Sequence, residues 1–176
     1  MKKIILALVL IFMVSTVASA VTKFGIGVGY NTLNIPEFEG YGYIPQTEFS
    51  LRGIFDTFAV EFTGSYNNIA DDNNYVSTIT TFGLSLSYLF NLRKDIALEA
   101  GIIGTIHTLL DKSIPDWAIT STNIGMVLGA EYFANENFGI NIRLIPLLLT
   151  RGKEQYGSEW QNTIVGFATV GAHLYL

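Results

Sequence analysis

Residues 76–109 carry two consecutive runs of period-two alternation joined by one short polar turn at Asn91 to Asp95, and this pattern limits the folds open to the chain. In the first run Phe82, Leu84, Leu86, Tyr88 and Phe90 share one face, while Thr81, Gly83, Ser85 and Ser87 share the other. In the second, Ile96, Leu98, Ala100, Ile102, Gly104 and Ile106 alternate with Ala97, Glu99, Gly101, Ile103, Thr105 and His107. Successive side chains of a strand point to opposite faces, so each run reads as one strand with an apolar face and a small or polar face. Each is also long enough to cross a bilayer when tilted, for which about 9–11 residues suffice.

Residues 1–20 have the parts of an export signal: Lys2 and Lys3, an apolar run from Ile4 to Val14, then Ala18, Ser19 and Ala20. The Ala18-x-Ala20 pattern predicts cleavage before Val21, which divides the chain into a secretory signal peptide (1–20) and one β-barrel domain (21–176). The apolar run is short for a membrane helix, which needs about 20 residues. The chain has no cysteine, so an exported product takes its stability from strand pairing, a membrane, or both. The net charge of −5, with basic residues few and dispersed, gives no nucleic-acid footprint.

The same alternation recurs along the rest of the chain. A first strand over residues 22–33 sets Phe24, Ile26, Val28 and Tyr30 against Lys23, Gly25, Gly27, Gly29 and Asn31. The alternate glycines permit tight curvature and close approach inside a small barrel. Further strands are expected near 47–55, from 58, near 118–133, from 138, and over 164–176, with residues 34–46 and 150–162 as loops and the third strand dissolving into the polar run at its upper end. Connections after the second, fourth and sixth strands are short, and those after the first, third, fifth and seventh are longer. That sorting puts both termini and the short turns at one end of a closed sheet. The fold class is therefore all-β: a closed, antiparallel, eight-stranded, up-and-down transmembrane β-barrel. Closure removes every edge and satisfies the backbone within hydrocarbon.

The polar face decides which side meets lipid. It gathers Gly, Ser and Thr with Arg52, Glu61, Glu99, Glu131 and Arg143. A narrow eight-stranded interior takes small residues and a few charges, while large apolar side chains occupy the outside. Phe24, Phe55, Phe58, Tyr88, Phe90, Phe133 and Phe138 fall near the short turns, as one interfacial girdle would. Counted from the short turns, the five charges fall in a comparable layer, and Lys23 and His173 extend it from the first and last strands. Buried charges need partners, so the expectation is an interior plugged by ion pairs.

Catalysis is not expected. The shared face of Glu61, Glu99 and Glu131 has an electrostatic explanation that requires no substrate. His107 and His173 lie toward opposite ends, which makes one metal site improbable, and no metal or cofactor is expected. A hydrolytic pairing of His107 with Ser113 or Asp111 is the weaker enzyme reading. An alternative function rests on the seventh strand: if alternation continues, Ile145, Leu147 and Leu149 point inward and, with Ile103 and His107, form an apolar cup for a small hydrophobic molecule. Pro146 opposes this, because it can mark a bulge that changes the facing.

The strand count, the alternation and the segment GAEYFANENFGINIRL resemble the small eight-stranded outer-membrane β-barrel proteins of Gram-negative bacteria, including the outer-membrane protein A transmembrane domain and related porin-like surface proteins. The resemblance implies a bacterial outer-membrane location, periplasmic termini and short turns, and long loops at the cell surface. It implies outer-membrane lipid as the surrounding partner, a monomer, and a structural or surface-interaction role, with lipid modification a more remote one. Tyr41, Tyr43, Trp117, Tyr156 and Trp160 are the loop aromatics that would recognise a surface ligand. The chain departs from the family in finishing on Tyr175-Leu176, where members usually end on an aromatic residue.

Overall fold

The computed structural model describes residues 22–33, 44–70, 76–111, 118–153, 160–163 and 167–176. The proposed signal-peptide boundary lies outside them, as do Tyr41, Tyr43, Ser113, Trp117 and Tyr156. The described chain is a single antiparallel sheet of ten strand segments. They are β1 (Lys23–Leu33), β2 (Ile44–Phe55), β3 (Phe58–Ala70), β4 (Val76–Arg93), β5 (Ile96–Asp111), β6 (Ala118–Asn135), β7 (Phe138–Ile145), β8 (Leu148–Lys153), β9 (Trp160–Thr163) and β10 (Phe167–Tyr175).

Ten segments make eight staves. From β1 to β6 each strand pairs with the next. The lower half of β6 pairs with β7 and its upper half with β8, so these two segments form the seventh stave. β9 pairs with β8 and β10 with β7, forming the eighth. β10 then pairs with β1 from Gly25↔Tyr175 to Asn31↔Thr169, and the sheet is closed. The longest hairpin is β4–β5, 18 and 16 residues, the pair with the cleanest alternation in sequence.

Inside and outside follow the alternation. Large apolar side chains project from the outer wall, with Phe49 66%, Leu84 57% and Ile142 55% exposed, whereas Arg52, Glu61, Glu99, Glu131 and Arg143 are buried. Such a surface suits lipid, which costs apolar groups nothing, and would be severely unfavourable in water. Edge-to-face and stacked rings (Phe58 with Tyr88, Tyr88 with Phe90, Phe62 with Phe82) reinforce the outer wall across β3 and β4.

Four sequence expectations need correction. The third strand continues to Ala70 instead of dissolving early. Residues 44–46, 150–153 and 160–162 are paired strand, not loop, because the upper ends of β1 and β6 need partners there, which β2 and β8 supply. Phe133 belongs inside, packed against the buried cluster of Ile54, Ala59, Leu89 and Tyr175. It keeps the odd-numbered parity of Glu131 in the same strand, and that parity outweighs its girdle-like position near a turn.

The fourth correction concerns the apolar cup. Ile145 is buried, but Leu147 and Leu149 are exposed on the outer wall. Leu128 of β6 pairs with Leu144, and Gly125 with Leu148, so three steps along β6 face four along the seventh stave. The extra residue falls at Pro146 and Leu147, between β7 and β8. One added residue reverses every later facing in a period-two strand. Pro146, with no N–H to give the ladder, suits the unpaired position.

Candidate functional site

The polar interior is built in layers from the short-turn end upward. Its floor is the apolar cluster of Ile54, Ala59, Leu89 and Tyr175, with Phe133 against it. Above the floor lies the charge layer. Arg52 and Glu61 are direct cross-strand partners on β2 and β3, and Arg52 Nη1 donates to Glu61 Oε2 at 2.6 Å. Arg52 Nη2 also lies 3.3 Å from Glu99 Oε2 and 3.2 Å from Glu131 Oε2. One guanidinium thus gathers carboxylates from three other strands, a task its planar fork of donors performs better than an ammonium would.

Arg143 closes the layer from the other side. Its Nε donates to Glu99 Oε2 at 3.0 Å, and its Nη2 donates to Glu61 Oε2. The register explains the meeting. Gly129 of β6 pairs with Glu99 on one side and Arg143 on the other, leaving an empty inward position between two long side chains. A Cβ on Gly129 would stand 2.8 Å from the Ile142 carbonyl oxygen and 3.0 Å from Arg143 Cγ.

The last strand joins through His173 and Tyr175. Gly27 of β1 pairs with both Ser50 and His173, and over this second gap His173 Nε2 lies 2.9 Å from Ser50 Oγ. The same nitrogen is 3.2 Å from Glu61 Oε1, while Nδ1 is 3.8 Å from Glu131 Oε1. The Tyr175 hydroxyl donates to Glu131 Oε1. Glu61, Glu99 and Glu131 therefore face two guanidiniums, with the His173 ring set between Glu61 and Glu131. The space above, lined among others by Glu48, Ser50, Glu61, Asn141, Arg143 and His173, has no room for a water molecule. The ion pairs of this layer link β2, β3, β5, β6 and β7 across the narrow interior.

A neutral layer sits higher. His107 is buried with Nδ1 2.8 Å from Thr81 Oγ1 and Nε2 2.8 Å from Thr105 Oγ1. Thr81 gives its hydroxyl proton to Gln46 Oε1 at 3.1 Å, an oxygen that also accepts from Ser65 at 2.7 Å. The amide of Asn123 donates to Thr105 Oγ1 at 3.1 Å. A hydroxyl has one proton to give, so Thr81, which gives its own to Gln46, accepts from His107 Nδ1–H. The imidazole is held at both ring nitrogens in a chain that crosses β6, β5, β4, β2 and β3.

The structure brings together Arg52, Glu61, Glu99, Glu131, Arg143 and His173. It does not bring Lys23 with them: this side chain donates to the Glu136 carbonyl at 3.3 Å and lies over the rings of Phe133 and Tyr175 at the short-turn mouth. Ile103, His107 and Ile145 are inward, without the leucines that would complete a cup. Both ring nitrogens of His107 are engaged by threonines, and Ser113 lies outside the described residues. Trp160 lies in β9. Tyr175 escaped the sequence reading, although the inward glycines of its neighbour β1 mark slots that large side chains on adjacent strands fill.

No protein-family model matches the chain, and no curated protein does. Solved structures do. OprG, an outer-membrane protein of Pseudomonas aeruginosa, superposes with a TM-score of 0.56 at 12% identity, covering 88% of this chain and 95% of that one. Neisserial surface protein A gives 0.54 at 14% identity, covering 86% and 95%. Ail, the attachment invasion locus protein of Yersinia pestis, gives 0.50 at 12% identity, covering 88% and 97%. At these identities the likeness is one of fold: the chain has the closed eight-stranded architecture of small outer-membrane barrel proteins.

Proposed function

We propose that this protein is an outer-membrane barrel with a structural or surface-interaction role, and that its sealed interior stabilises the wall and does not conduct. The observation that carries this reading is the charge layer, in which two arginines and three glutamates from β2, β3, β5, β6 and β7 meet inside an apolar-faced barrel. Interactions of this kind lock a narrow lumen and leave function to the loops, which a rigid scaffold holds out for partner contact. In this reading residues 1–20 are removed on export, the termini and short turns are periplasmic, the long connections are extracellular, and the barrel is a monomer in lipid.

Tyr41, Tyr43, Trp117, Tyr156 and Trp160 are the aromatic residues proposed for a surface ligand, since rigid amphipathic rings give contact area at low entropic cost. The test is a series of loop replacements, each checked for membrane insertion, followed by binding of the expressing cells to host-type surfaces. Reduced binding in at least one replacement is expected. Unchanged binding in all of them would remove the surface-interaction role and leave the structural one.

A further inference from the structure

The short-turn mouth is a separate concavity. A cavity of about 580 Å³ opens there, lined by Thr22, Lys23, Ile54, Asp56, Leu89, Asn91, Arg93, Lys94 and Phe133. Its floor is apolar, because Ile54, Leu89 and Phe133 belong to the cluster that separates the mouth from the charge layer. Its wall carries Lys23, Arg93 and Lys94 with Asp56, and Asp95 is paired to Arg93, which leaves the three cations in excess over two carboxylates on a chain whose formal charge is −5. Lys23 is held in place by the Glu136 carbonyl and by the Phe133 and Tyr175 rings, the nearer with its centroid 4.9 Å from Nζ. Arg93 is steadied by Asp95 at 3.3 Å, on an exposed turn.

We propose that this mouth binds an anionic amphiphile, with its head on Lys23, Arg93 and Lys94 and its apolar part on Ile54, Leu89 and Phe133. The volume lies within the range of small-molecule sites, about 300–1,000 Å³, and an apolar base with a few convergent polar groups is their usual chemistry. The pairing of parts is selective: a short inorganic anion forgoes the floor, and an uncharged amphiphile forgoes the three cations. The floor makes the site a dead end, so the ligand enters and leaves from the short-turn side.

The experiment is a titration of octanoate into the barrel reconstituted in phosphatidylcholine nanodiscs, read from the methyl resonances of Ile54 and Leu89. Saturable shifts confined to these methyls are expected, with octanol and acetate each at least tenfold weaker. The triple variant Lys23→Gln, Arg93→Gln, Lys94→Gln is expected to lose at least tenfold in affinity. Lys94→Gln alone, on an exposed turn, provides a milder variant whose folding is secure, and a smaller loss is expected from it. Repeating the titration in phosphatidylglycerol discs identifies the source of the anion: competition there assigns the site to a lipid headgroup, and its absence to a soluble amphiphile. Equal binding of octanol and octanoate, shifts spread over lipid-facing Leu84 and Ile102, or affinity unchanged in the triple variant would each overturn the proposal.

Discussion

The lower and upper halves of the barrel interior solve the same problem by different chemistry. Below, Arg52 and Arg143 hold Glu61, Glu99 and Glu131, and every stave at that level is an unbroken strand. Above, His107, Thr81, Thr105, Gln46 and Asn123 form a neutral chain, and the seventh stave is interrupted at Pro146. The ionic layer is strong only while complete, because removing one partner strands the others without solvent. The neutral layer degrades more gently, since each member that is lost leaves uncharged donors and acceptors.

That contrast can be broken first at Arg52. Arg52→Met leaves three buried carboxylates facing one arginine and should cost about 3–5 kcal/mol, read from the urea midpoint of the barrel in lipid vesicles. His107→Leu in the neutral layer leaves Thr81 and Thr105 each a partner short, and a loss of about 1–3 kcal/mol is expected in the same assay. Equal losses from the two would erase the distinction between the layers. Gly27→Ala probes the closeness of the lower packing. Its new Cβ would stand 2.4 Å from both His173 Cδ2 and Ser50 Oγ, an overpacking that costs about 1–3 kcal/mol.

The smallest effect is expected at Pro146. The ladder from Gly125↔Leu148 to Thr120↔Lys153 holds the register above the bulge, so Pro146→Ala should change stability by no more than about 0.5 kcal/mol. Spin labels at Leu147→Cys and Leu149→Cys should sense a lipid-soluble relaxation agent with or without the proline. Loss of that accessibility in Pro146→Ala would show that the proline, and not the ladder, sets the outward facing.

The two halves also differed in how far the sequence revealed them. Below, every charge is reached by counting from a tight turn through uninterrupted alternation, so parity alone places Arg52, Glu61, Glu99, Glu131 and Arg143 on one face. Above, one extra residue reverses parity, and no residue count reveals whether a proline sits inside a ladder or in a bulge. Leu147 and Leu149 were misplaced for that reason. Tyr175 shares the inward parity of His173 two residues before it, and its ring fills the slot left by Gly25 across the barrel seam, a partner that only closure reveals. Lys23 had the right parity but sits one rung too close to the mouth, where a backbone carbonyl and two rings are its neighbours.

The sealing of the lumen by the charge layer is tested most directly by planar-bilayer recording of the purified barrel beside its Arg143→Ala variant. The account predicts a silent wild-type protein, because the paired side chains leave no space for a water molecule above Glu61 and Arg143. Stable, discrete wild-type openings whose amplitude changes in Arg143→Ala would contradict it, and would make the same residues the constriction of a channel.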